Sequence, residues 1–201
     1  MMKQLLDEMP TIHSTRLLLR EFSTQDAEAL SAIANDKRIY QYLPTFLYEQ
    51  KYDDADKVIE NMKSEMFDTK DSILFAVTLL EDPSSVIGIA EIYNYEAKKE
   101  KASIGYRLLP EYWGRGYASE ITYALTEYLL KETDVRKITA HVMEDNPASA
   151  KVFLKNGYEK KWTRLREDWG FDRPVLINKF RYKLSKEEKE MLLQDENQSK
   201  A

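Results

Sequence analysis

Between Trp113 and Ser119 the chain reads Trp-Gly-Arg-Gly-Tyr-Ala-Ser, two glycines around an arginine, followed by an apolar stripe at helical spacing: Ala118, Ile121, Leu125, Tyr128 and Leu129. Gly114 and Gly116 let a backbone turn tightly and come close to another molecule, because no Cβ stands in the way. The first N–H groups of the helix then point one way with the positive end of its dipole behind them, a setting that suits a phosphate or pyrophosphate. Arg115 adds a full positive charge. Two titratable side chains stand in strand-like runs nearby. Glu91 shares parity with Ile87, Ile89 and Tyr93, and a carboxylate on an apolar face is costly unless paired; burial would push its pKa up toward general-base duty. His141 shares parity with Thr139 and Met143 and titrates near neutrality. Each also has a structural reading: a strand-end salt bridge for Glu91, a satisfied half-buried histidine for His141. Glu144 and Asp145 form a third acidic candidate, able to attract a cation.

Positioning these residues requires a strand ending at Pro110, a turn and a helix. The pattern predicts strands over His13–Phe22, Ser72–Leu80, Val86–Tyr95, Ala102–Leu109, Lys137–Met143, Glu159–Trp169 and Pro174–Leu184. The two runs around Glu81–Ser85 form an antiparallel hairpin, and the last two form another around Gly170. Lys137–Met143 is reached through a helix and so lies parallel to Ala102–Leu109. A helix carrying Ala27, Leu30, Ile33 and Ala34 starts at Ser23–Asp26, and a second covers Asp54–Phe67 with Val58, Ile59, Met62 and Met66 on one side. Asn35–Pro44 reads as a turn and loop. Asn146 as N-cap, Pro147 at the first helical position and Gly157 past the end delimit a short helix. Ser185 begins a further short helix, and Asp195–Ala201 reads as a frayed polar tail. The aromatics Tyr40, Tyr42, Phe46, Tyr48 and Tyr52 either fill the edge of a core or wall a pocket.

A chain of 201 residues with 43% hydrophobic composition suits one domain with a sizeable core. No apolar run approaches the roughly 20 residues needed to cross a membrane, and the first residues lack a secretory apolar region, so a cytoplasmic location is expected. A net charge of −5 argues against wholesale nucleic-acid binding. Without cysteine there is no disulfide, thiolate–metal site or acyl-cysteine intermediate, and two histidines argue against a multi-histidine metal site.

Taken together, Trp113-Gly-Arg-Gly-Tyr-Ala118, Asn146-x-x-Ser149 and Asn156-Gly-Tyr158 resemble the GNAT N-acetyltransferase superfamily. With Thr15-Arg-Leu-Leu-Leu-Arg20 and Pro110-Glu-Tyr-Trp113, they look closest to its ribosomal-protein N-terminal acetyltransferase branch. The resemblance implies a mixed α/β (α+β) fold: a mostly antiparallel central sheet flanked by helices, with one parallel strand pair splayed to hold CoA. It covers a single domain, residues 1–201, with a core from about 11 to 184. The implied co-substrate is acetyl-CoA, with no metal. Its diphosphate would rest on the amides of Gly114, Arg115, Gly116, Tyr117, Ala118 and Ser119, and the strand end at Tyr106–Leu108 would pair with the pantetheine arm. Asn146 would bond the pantetheine side, Ser149 would touch CoA, and Phe153 would lie near the thioester. Trp113 departs from the superfamily's glutamine or arginine, which leaves Arg115 as the loop's cation.

The implied reaction is attack of a neutral amine on the thioester carbonyl in a ternary complex, without an acyl-enzyme. A backbone N–H near Leu108 would stabilise the oxyanion. The base does not carry over: Ser103 and His141 stand at two positions where relatives place a glutamate, and Phe153 stands where some have an acidic tyrosine. Glu91 and His141 are therefore the candidates. The acceptor is a primary amine, a small molecule or a protein N-terminus, used by a monomer or homodimer. A non-catalytic acyl-CoA-binding module of the same fold is the alternative. An ATP site is disfavoured, because the glycine loop has no Gly-Lys-Ser/Thr ending.

Overall fold

The computed structural model describes residues 9–50, 54–69 and 72–199. Its elements in order are β1 (Ile12–His13), β2 (Leu17–Arg20), α1 (Ala27–Asn35), α2 (Lys37–Tyr40), α3 (Ala55–Thr69), β3 (Ile73–Leu79), β4 (Asp82–Glu96), β5 (Lys101–Leu108), α4 (Tyr117–Glu132), β6 (Lys137–Met143), α5 (Pro147–Lys155), β7 (Glu159–Glu167), β8 (Val175–Lys183) and α6 (Lys186–Ser199). Among the described residues the strands form one sheet in the order β1-β2-β3-β4-β5-β6-β8-β7. Its pairs are antiparallel except β5–β6. The expected mixed sheet with one parallel pair is present. The middle of the sheet is covered on both sides, which is why Ile73–Val77 reads as an unbroken apolar run rather than an alternation.

Four local expectations change. The turn expected over Glu81–Ser85 narrows to Leu80 and Glu81, because Asp82 already pairs with Leu79 and begins β4. The first strand is two: Ser14 N donates to Leu17 O at 2.9 Å, and the turn this closes directs the Arg16 amide to Glu120. Asn35–Pro44 contains the short helix α2, because the Asp36 carboxylate accepts from the Arg38 amide at 2.9 Å and caps it. The last helix runs to Ser199, past Asp195, where fraying is predicted. Tyr52, one of the five candidate wall aromatics, lies outside the described residues.

The β5–β6 pair is short. Pairing runs from Lys101↔Lys137 to Ser103↔Thr139, and the two hydroxyls of that last rung hydrogen-bond each other at 2.8 Å. Beyond it the strands separate while each keeps its other neighbour: β5 stays on β4 as far as Leu108, and β6 on β8 as far as Met143. Leu109 N donates to Ile87 O at 2.9 Å, which fixes Ile89↔Arg107 and Glu91↔Gly105 as hydrogen-bonded pairs. By alternation the backbone groups of Tyr106 and Leu108, beyond the last β5–β6 rung, point the other way, into the gap toward β6. The gap is thus edged by backbone donors and acceptors that no ladder uses.

Candidate active site

The glycine loop behaves as its sequence requires. Gly114 and Gly116 hold φ of 72° and 85°, and Gly116 is the residue from which α4 departs. A Cβ built on Gly114 meets nothing within 4 Å, so the loop is open to solvent. The start of α4 would carry an unhelpful negative charge at Glu120, but the structure neutralises it. Arg16 Nε reaches Glu120 Oε2 at 2.8 Å, the Arg16 amide reaches Oε1 at 2.6 Å and Ser14 Oγ at 2.8 Å. Burial works to raise the Glu120 pKa, but these bonds outweigh it and hold the carboxyl below its usual range. Arg16 also donates to the Arg115 carbonyl at 3.1 Å and lies over the Tyr117 ring. Arg115 itself is exposed beside Tyr112. The positive end of the helix is therefore left to an incoming anion.

Trp113, the departure from the superfamily pattern, ties this loop to the strand: its indole N–H donates to the Leu108 carbonyl at 2.8 Å. That takes one acceptor out of the expected pantetheine edge and leaves Leu108 N–H and both backbone groups of Tyr106 facing the gap. Asn146 combines its two readings. Its Oδ1 accepts from Ser149 N at 3.1 Å as a helix cap, and the residue borders the cavity. Tyr106 and Ser149 share a 3.0 Å hydrogen bond, and burial pushes the Tyr106 phenol up to about 12. Phe153 is buried, stacked on Phe180 and edge-on to Tyr158, at the base of the same space. Asn156 donates to Ser119 Oγ at 3.0 Å and joins the end of α5 to the start of α4. Tyr117, Ala118 and Ser119 all border the cavity, whose volume is about 1000 Å³.

Glu91 and His141 meet this cavity from the sheet face opposite Tyr106, as their parity requires. Glu91 is not the unpaired carboxylate its apolar strand suggests. Its Oε2 lies 3.1 Å from Arg107 Nη1, and the same guanidinium is clasped by Glu49 through Nε at 2.5 Å and Nη2 at 2.6 Å. Tyr40 O–H completes the cluster on Glu49 at 2.7 Å. Burial works to lower the Arg107 pKa, but Glu49 and Glu91 outweigh it and the shift is upward, so the charge is permanent. The reason for giving Glu91 base duty therefore falls away. Its Oε1 packs over Gly105, where an added Cβ would sit 2.5 Å from it.

His141 differs. Its Nδ1 stands 3.3 Å from Glu167 Oε2, and Trp169 Nε1 donates to the same oxygen at 2.8 Å. Its Nε2 is buried with no hydrogen-bond partner among the described residues. Burial lowers the His141 pKa; Glu167 opposes this, while Lys179 and Lys101 add to it, and the net shift is downward. A ring of this kind is neutral at physiological pH with one nitrogen unsatisfied. The third acidic candidate is spent elsewhere: Glu144 pairs with Arg164 at 3.0 Å, and Asp145 is exposed.

Tyr42, Leu43, Phe46, Leu47 and Tyr48 line the same cavity, as do Tyr93 and Trp169. The loop is locked to the β7–β8 hairpin, since Thr45 N and Oγ1 donate to the Trp169 carbonyl at 2.8 and 3.2 Å. Sequence reasoning missed Arg107, Glu49, Glu167 and Trp169. A charged residue inside the apolar run of β5 was the one available signal, and it pointed to Arg107 alone.

A family model described as an acetyltransferase (GNAT) domain matches residues 16–159. The chain is 29% identical over 152 residues to an uncharacterized N-acetyltransferase, YoaA, of Bacillus subtilis (strain 168), covering 76% of this chain and 84% of the relative. Among solved structures it superposes on RimL, a ribosomal L7/L12 alpha-N-protein acetyltransferase in complex with coenzyme A. The TM-score is 0.73 at 18% identity, over 87% of this chain and 98% of the other. It superposes also on spermidine N-acetyltransferase from Vibrio cholerae in complex with CoA and spermine, with a TM-score of 0.70 at 17% identity over 86% and 97% of the two chains. An open glycine loop, a parted parallel strand pair and a domain match over well over half its length agree, and the chain belongs to the GNAT acetyltransferase family.

Proposed function

We propose that this acetyltransferase moves an acetyl group from acetyl-CoA directly to a primary amine bound across the gap between β5 and β6, with His141 as the general base. The observation that carries this reading is the separation of the strands beyond Ser103↔Thr139, with Leu108 N–H on one edge and His141 on the other. The amides of residues 114–119 would hold the diphosphate, and Tyr106, Leu108 and Asn146 the pantetheine arm. Acetyl-CoA supplies the activated acyl carbonyl and a thiolate leaving group. His141 Nε2 takes a proton from the acceptor ammonium, the freed amine forms the new C–N bond while Leu108 N–H stabilises the negative oxygen, and as the C–S bond breaks the CoA thiolate takes up the second proton that the nitrogen sheds. The carboxylates Glu91 and Glu167, with Tyr93 between them, favour a positively charged acceptor. Relatives named for spermidine and for a ribosomal protein keep both a polyamine and a protein N-terminus in view.

The test is release of free thiol from acetyl-CoA against spermidine, a monoamine and a peptide with a free amino terminus. Turnover on one of them, lost in His141→Gln with CoA affinity unchanged, is the expected result. Tight CoA binding with no turnover on any amine would instead favour an acyl-CoA-binding module.

A further inference from the structure

Glu167 has no part in the reading above beyond its charge, yet it sits where it controls the base. It is the last residue of β7 and lies across β8 from β6, brought to His141 only by the sheet order β6-β8-β7. One carboxylate oxygen, Oε2, faces both the His141 Nδ1 and the Trp169 indole N–H, so the carboxylate is held from one side and presented to the ring on the other. Trp169 is in turn buried and fixed through its carbonyl by Thr45. We infer that Glu167 is the positioning residue of the catalytic site: held by Trp169, it keeps the proton on His141 Nδ1, so that Nε2, which has no hydrogen-bond partner among the described residues, carries the lone pair that takes the acceptor's proton.

The chemistry is that of a carboxylate–imidazole pair. A neutral imidazole carries one N–H, and the nitrogen facing a carboxylate keeps it. When Nε2 accepts the acceptor's proton, the ring becomes a cation with both nitrogens protonated, and Glu167 stabilises that charge in a buried site. The ring holds this proton and gives it up to solvent once the products leave, and no further reactant is needed. The other charged groups facing His141 are Lys179 on β8 and Lys101 on β5, and both disfavour the cation. Glu167 is the charge that favours it.

This inference rests on His141 as the base, and the experiments separate the two. The pH profile of kcat/KM is measured for the whole chain with the amine that turns over best of the three above. Glu167→Gln is expected to lower kcat by about tenfold to a hundredfold, in the range seen when a partner of a functional histidine is removed, and to move the acid limb to lower pH. CoA affinity stays unchanged. Trp169→Phe, which keeps an aromatic six-membered ring and loses the pyrrole ring with its N–H, shifts the limb the same way by less. If His141→Gln abolishes the limb while Glu167→Gln leaves it in place, the positioning role is wrong and the base assignment stands. If His141→Gln leaves rate and limb intact, both fall. Nitrogen NMR of the unmutated protein decides the matter even if the variants do not fold, since the chain has 2 histidines to assign. Neutral His141 protonated at Nδ1 is expected, and protonation at Nε2 would overturn the proposal.

Discussion

Arg107 shows how much of this site rests on single buried charges. One guanidinium stands between Glu49 and Glu91 with almost no solvent contact. Removing it while leaving both carboxylates should cost about 3–5 kcal/mol, the usual penalty for breaking a buried pair from one side. Arg107→Met is therefore expected to lower the melting temperature sharply by calorimetry, and Glu49→Gln introduced with it should recover part of the loss. The cluster was not legible because its members lie 16 and 58 positions from Arg107 and on separate elements. Glu91 could be assigned to a face by its parity, but nothing in its own strand named the partner opposite. Gly116 is the contrary case, since its type and its place before a helix state its conformation. Gly116→Ala forces a side chain into the left-handed region at about 1–2 kcal/mol, and if the free loop relaxes to escape that strain, CoA binding should weaken about tenfold by titration calorimetry.

Among the elements, the loop after α2 and the turn between β7 and β8 function as one wall. They meet at Thr45 and Gly170, where a Cβ on the glycine would come within 1.9 Å of Thr45 Oγ1 and the backbone holds φ at 81°. Gly170→Ala should therefore push the two apart. The expected outcome is a higher KM for the amine with CoA affinity unchanged, read from steady-state kinetics and CoA titration. The helices themselves were readable, because Asn146, Pro147 and Gly157 act within one or two turns of chain. The division of the first strand was not: the Arg16 amide turns toward Glu120, a residue 104 positions away.

Across the whole molecule, α6 is fastened to the end of α4 by one ammonium. Lys189 Nζ donates to the carbonyls of Thr133 at 2.6 Å and Val135 at 2.5 Å, and burial pushes its pKa down from 10.5 to about 8. A lysine whose folded pKa lies below its unfolded one is bound to more protons in the unfolded chain between those values. Its contribution to stability therefore rises as pH climbs from about 8 to 10.5, and the neutral amine still has hydrogens for both carbonyls. Lys189→Met should remove that rise, measured as the difference between the two proteins in denaturant midpoint across the window.

By itself the sequence determined the glycine loop, the two helix starts, the strands and the family they resemble, because caps, periodicities and positive-φ glycines are short-range properties of the chain. The tertiary structure decided which charged partner each titratable group faces. Glu91 and His141 look alike as residues in strands, and only the sheet order sets Arg107 against one and Glu167 against the other. Charges interact through space, so their partners are fixed by the folded arrangement and not by position along the chain.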